Sequence, residues 1–184
     1  ATNEIAPPVD IAEFDALFGS ESEFDWRNTT LGSCVGAIRD QGKCGSCWAH
    51  ATTEMMSDRI CIKSNGNFRR TFSPQYMVSC ANITWGASGC EGADTQKAIQ
   101  WMAEYSMVAE SCYPYTSGTT TEDGECSRYS CPSMMYWVEY HVNKTSVTLY
   151  NDYRNAEMAL DIRENGPIYF SMIVYDDFMT YKSG

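Results

Sequence analysis

Residues Gln41 to His50 read Gln-Gly-Lys-Cys-Gly-Ser-Cys-Trp-Ala-His, with Cys44 and Cys47 flanking a Gly-Ser pair and His50 three positions beyond Cys47. Three chemistries use such a cysteine pair. A structural zinc site needs four ligands, usually two such pairs, and the chain has no second Cys-X-X-Cys. A redox dithiol calls for a preceding β-strand and few other cysteines, and the sequence offers neither. The third is a thiol nucleophile at a helix start, with Cys44 tied into a disulfide. From Cys47 to Lys63 there is no Gly or Pro, and Ala49, Met55, Met56 and Ile60 supply apolar surface, so the run predicts a buried helix. The free N–H groups and dipole of its first turn favour an anionic sulfur. Ser46 just before the helix and bulky Trp48 just after Cys47 fit that placement. Gln41 could add a side-chain amide to the Cys47 N–H as donors to an oxyanion. The nucleophile is the reading these residues support.

Composition sets the frame around this stretch. The 184 residues allow one domain or two small ones, with 43% hydrophobic and 20% charged residues as in an ordinary globular protein. A net charge of −11 argues against a nucleic-acid partner. No apolar run approaches the roughly 18 residues that span a membrane. No leader pattern precedes the domain, so Ala1 reads as a processed start. Nine cysteines suit an oxidising compartment, and the odd number leaves one free or paired between chains. Asn-X-Thr sequons at Asn28, Asn82 and Asn143 agree with a secretory or endomembrane route and mark candidate glycosylation sites.

The chain changes character along its length. Residues 1–22, with Pro7-Pro8 and several acids, read as an extended arm or the remnant of a pro-segment. Ser73-Pro74 opens a second helix as N-cap and first helical residue, and a third runs from about Ala93 to Tyr105. Gly118 to Gly124 form a polar loop between cysteines. Met134–Val142 and Thr145–Leu149 are rich in aromatic and β-branched residues and predict strands. A helix near Asn155–Glu164 stops at Asn165-Gly166-Pro167, and Ile168–Val174 predicts a buried strand. The order is α+β: a helical subdomain over 23–133 carrying the nucleophile, then the start of a β-rich subdomain over 134–184.

At Gln41-Gly42-X-Cys44-Gly45-Ser46-Cys47-Trp48-Ala49 the chain resembles the active-site signature of papain-like cysteine proteases. Ile38–Gly42 and Ser57–Ile62 narrow the resemblance to the cathepsin B branch. Phe24-Asp25-Trp26-Arg27 is similar to a mature N-terminus in that branch. Asn165-Gly166-Pro167, Val174–Phe178 and Tyr181–Gly184 are similar to its second domain. The resemblance covers about residues 24 to 184. It implies a helical left domain and an incomplete β-barrel-type right domain, with Cys47 as nucleophile and Gln41 as oxyanion donor. It also implies the bridges Cys34–Cys61, Cys44–Cys90, Cys80–Cys126 and Cys112–Cys131, leaving Cys47 free. Substrate-binding residues carried over are Ser46, Trp48, Gly92, Ala93, Asp94 and Thr95. A peptide or protein substrate, the chain's own propeptide and a remaining C-terminal portion are the implied partners. The implied location is lysosomal, vacuolar or secreted, and neither metal nor cofactor is called for.

Several positions depart from the family pattern. The family's imidazole base and its orienting asparagine follow the nucleophile by roughly 130–150 residues, a window of about 177–197 here. Asp177–Gly184 holds no histidine, so the resemblance implies that both lie beyond Tyr181-Lys182-Ser183-Gly184. The two histidines present are His50, on the nucleophile's own helix, and His141, in a strand-like run. The family carries an aromatic residue at position 50, packed inside the helical domain, so His50 is expected in the core rather than as the base. Cys90-Glu91-Gly92-Ala93 stands where the family has Cys-Asn-Gly-Gly, and a methyl at Ala93 is expected to narrow the substrate's approach. The loop from Cys112 to Cys126 lacks the paired histidines with which cathepsin B grips a C-terminal carboxylate, so internal cleavage is expected. The rival is a non-catalytic homologue or fragment serving as a peptide-binding or structural module.

Overall fold

The uninterrupted run from Cys47 folds as helix α1, Cys47–Lys63. The computed structural model describes residues 12, 16, 19, 23–81, 85–132, 136–150 and 155–182. Helix α1 runs through the interior, so its polar residues need partners inside. Thr52, Thr53 and Ser57 donate to the carbonyls of Trp48, Ala49 and Thr53, four residues back, at 2.8, 2.9 and 2.6 Å. Helix α2, Pro74–Cys80, starts as its sequence predicts, with the Ser73 hydroxyl accepting the Tyr76 N–H at 3.0 Å and proline in the first turn. Helix α3 is Thr95–Tyr105 rather than Ala93–Tyr105. Asp94 is its cap, accepting from Lys97 N–H at 2.9 Å, while Ala93 pairs with Ala87 in an antiparallel bridge. Helix α4, Asn155–Asn165, ends immediately before Gly166-Pro167.

The core lies where α1, α2 and α3 meet. Trp48, Phe72, Tyr76, Met77, Trp101, Met102, Met107 and Val108 are all buried there. The Tyr76 ring meets Trp101, Tyr113 and Trp137 at 5.5, 5.8 and 5.6 Å, mostly edge-on. Each such side chain stabilises the fold by roughly 1.5–3 kcal/mol through burial. A smaller cluster of Cys34, Cys61 and Ile62 packs with Trp26 and Leu31 at the far end of α1. The four disulfides are Cys34–Cys61, Cys44–Cys90, Cys80–Cys126 and Cys112–Cys131, the pairing implied by the resemblance.

The strand expectations are corrected. Within 136–142 only Tyr140 is paired, exchanging both backbone hydrogen bonds with Met107 at 2.8 and 2.9 Å. Lys144–Ser146 is a 3-10 turn. The segment Ile168–Val174 forms no ladder among the described residues, and Phe170 and Ile173 are 68% and 80% exposed instead of buried. A strand is completed by the strand beside it and the layer over it; β-propensity supplies neither. Most of the arm over 1–22, the division near residue 133 and Asn82 lie outside the described residues.

Candidate active site

Three loops converge where α1 begins. The Gly45 N–H donates to the Cys90 carbonyl at 2.7 Å, and the Cys44–Cys90 disulfide covalently fixes the same approach. A Cβ on Gly45 would lie 2.3 Å from that carbonyl oxygen, so only glycine lets the two loops come this close. Cys47 follows as the first residue of α1, exposed and the one free cysteine. First-turn N–H groups have no acceptor within a helix, so the Cys47 N–H is available to an anion at the sulfur's side.

Gln41 is held through its backbone. Asp40 Oδ1 accepts from the Gly42 N–H at 2.8 Å, the Gly118 carbonyl accepts from the Lys43 N–H at 2.9 Å, and the Tyr115 hydroxyl donates to the Gln41 carbonyl at 2.8 Å. Among the described residues none hydrogen-bonds the half-buried Gln41 side-chain amide, which leaves it able to serve a ligand.

The residues expected along the cleft divide into two sets. Ser46 and Trp48 are buried, and Trp48 Nε1–H donates to the Gly89 carbonyl at 3.0 Å, so these two pack inward on either side of Cys47 in sequence. Gly92, Ala93, Asp94 and Thr95 lie at or near the surface. The left-handed residue is Gly92, at φ +109, with nothing within 4 Å of the position a Cβ would take. Ala93 needs no positive φ, so its methyl is accommodated without backbone strain. Tyr169 was not foreseen; its hydroxyl lies 3.5 Å from Thr95 Oγ1. Burial pushes the Tyr169 phenol up, with the Thr95 contact opposing and the charges of Cys47 and Asp94 adding to the rise.

His50 is buried against α1's own start. Its Nδ1 lies 3.0 Å from the Ser46 carbonyl and 3.3 Å from Ser46 Oγ, and no hydrogen bond among the described residues joins it to Cys47. Burial holds its pKa below the ordinary imidazole value; the Ser46 backbone bond opposes that, Arg39 reinforces it, and Glu110 and Asp40 oppose it. His141 is exposed, with Nε2 3.9 Å from Glu139. Of the sequons, Asn28 and Asn143 are exposed. Among the described residues no group of three His, Cys, Asp or Glu could hold a metal ion, and no helix is long and apolar enough to cross a membrane.

A free, exposed cysteine at a helix start, stapled by a neighbouring bridge, is the arrangement the signature demands. A family model described as papain family cysteine protease matches residues 20–184. The chain belongs to the papain family. Among this papain-family chain's relatives, cathepsin B of Dictyostelium discoideum is 30% identical over 97% of the chain and 59% of its own length. A gut-specific cysteine proteinase of Caenorhabditis elegans is 33% identical over 96% of the chain and 56% of its own length. The chain thus spans a little over half the length of these relatives. The solved structure of procathepsin B S9 from Trypanosoma congolense superposes with a TM-score of 0.57, at 23% identity, over 69% of the chain and 44% of that protein. That likeness establishes the fold, an α+β papain-like architecture that is mostly helical over the residues described.

Proposed function

We propose that the protein is a cathepsin B-like thiol endopeptidase whose nucleophile is Cys47. The observation that carries this is the exposed, unpaired Cys47 at the first residue of α1, in a chain whose other eight cysteines are bridged. In this reading the Cys47 sulfur adds to a peptide carbonyl carbon. The oxyanion so formed accepts hydrogen bonds from the Gln41 amide and the Cys47 N–H, then collapses with loss of the amine to a thioester that water hydrolyses. Gly92, Ala93, Asp94 and Thr95 line the extended peptide's path, and Ser46 and Trp48 support it from within. Neither His50, whose Nδ1 faces the Ser46 carbonyl, nor His141, exposed beside Glu139, is assigned as the partner imidazole. The helical subdomain over 23–133, the β-rich one over 134–184, a propeptide as partner, glycosylation at the sequons and a lysosomal, vacuolar or secreted location belong to the same reading.

The test is an epoxide thiol trap applied to the full encoded chain, read by peptide mass mapping beside hydrolysis of a fluorogenic peptide amide. Labelling confined to Cys47 and abolished, with hydrolysis, in Cys47→Ala is the expected result. A chain inert to both probes would instead be a peptide-binding or structural homologue.

A further inference from the structure

A polar chain runs beneath the nucleophile from His50 to the backbone of Gln41, and its direction can be worked out atom by atom. The Gln41 carbonyl can only accept, so the Tyr115 hydroxyl donates to it at 2.8 Å. That hydroxyl oxygen must then accept from Ser46 Oγ–H, 2.6 Å away. With its proton so used, Ser46 Oγ meets His50 Nδ1 at 3.3 Å as an acceptor, so Nδ1 carries hydrogen. The Ser46 carbonyl, 3.0 Å from the same Nδ1, requires the same assignment independently. His50 is therefore the Nδ1–H tautomer. Its Nε2 is buried without a partner among the described residues, which suits a neutral ring. The Tyr115 ring stands edge-on to the imidazole, with centroids 4.6 Å apart and planes at 85°.

We infer that His50, Ser46 and Tyr115 are positioning residues that set the Gln41 main chain, and through it the oxyanion donor, relative to Cys47. Ser46 is wholly buried, and Tyr115 reaches Gln41 from 74 positions away in sequence, so the relay joins the nucleophile's helix to the loop opposite. An aromatic ring at position 50 would fill the same space yet leave the Ser46 hydroxyl free to turn away from Tyr115. His50 thus orients an internal hydrogen bond and transfers no proton. The inference rests on Cys47 and Gln41 acting as proposed above.

The test uses the full encoded chain with Tyr115→Phe, which deletes one oxygen and keeps the ring against His50. Three probes are read: a fluorogenic peptide amide, a peptide aldehyde that forms a tetrahedral adduct, and iodoacetamide, whose alkylation of sulfur forms no oxyanion. Tyr115→Phe is expected to lower kcat about tenfold with KM within about twofold, and to weaken the aldehyde by a similar factor. Alkylation of Cys47 should stay within about twofold of wild type. His50→Phe should lower kcat about threefold, and His50→Gln, whose amide can donate to Ser46, should restore most of it. If Tyr115→Phe fails to fold, Ser46→Ala cuts the same link and takes its place. An active wild type whose Tyr115→Phe keeps full kcat and aldehyde affinity overturns the positioning role alone. So does alkylation falling in step with kcat, since that marks general damage. A wild type that neither hydrolyses peptide nor binds aldehyde overturns the proposed function and this inference together.

Discussion

Arg59 on α1 grips Asp161 on α4 through two hydrogen bonds, 2.7 Å from Nη2 and 3.1 Å from Nη1, while Nη1 also reaches the Pro167 carbonyl at 3.2 Å. With the Trp26 indole donating to the Ile162 carbonyl, this clamp fastens α4 to α1, the helix that begins at Cys47. Burial alone would raise the Asp161 carboxyl, but the Arg59 hydrogen bonds and charge outweigh it and hold the group below the ordinary carboxylate value.

Asp161→Asn should therefore cost about 2 kcal/mol at neutral pH, the scale of a hydrogen-bonded, partly buried charge. A lowered folded-state pKa stabilises above the unfolded value, about 3.9, and is lost as pH falls through the folded value. Urea unfolding of wild type and variant should differ at pH 7 and converge progressively below about pH 4. An equal gap at acid pH would show that the charge plays no part.

His50 predicts a loss in the same direction, in a higher pH window. Its folded-state pKa is depressed by burial, so below the ordinary value of about 6.5 the unfolded chain takes up a proton that the folded one resists. Wild type should lose stability as pH falls from about 6.5 towards the folded pKa, and His50→Phe should lose less over that interval. Thermal unfolding at pH 7.5, 6 and 5 checks this, with Arg39, Glu110 and Asp40 left intact. Parallel curves for the two proteins would refute it.

Gly45→Ala should destabilise by about 1–3 kcal/mol, because the new methyl overlaps the Cys90 carbonyl and must push the two loops apart. The same shift should slow Cys47 labelling by the epoxide trap. Unchanged stability and labelling would mean that the loops approach less closely than 2.3 Å from Cβ to oxygen implies.

Replacing Cys44 and Cys90 together by alanine should cost about 2–4 kcal/mol, since the bridge closes a loop over a sequence separation of 46. The Gly45–Cys90 backbone bond remains in that variant, so some reactivity at Cys47 should survive. Guanidinium unfolding together with epoxide labelling reads both quantities.

Local signals made the helices legible. The absence of Gly and Pro after Cys47, Ser73 ahead of Pro74, and Asn165-Gly166-Pro167 act over a few residues, and the corresponding helix ends fall where they predict. The signature around Cys47 placed a cysteine at a helix start for the same reason, because a helix start and its flanking cysteine are neighbours in sequence. The strand expectations over Ile168–Val174 failed because pairing depends on another segment, which composition cannot supply.

The sequence by itself determined the helical scaffold, the papain-family resemblance and an odd number of cysteines. Only the tertiary structure decided which groups His50 meets. The resemblance places it in the core rather than as the base, and it is buried there; in the fold its Nδ1 turns back to Ser46, and a tyrosine from a distant loop reaches the Gln41 carbonyl. A hydrogen-bond direction depends on which group faces which acceptor, and that is set by packing between segments rather than by spacing within one.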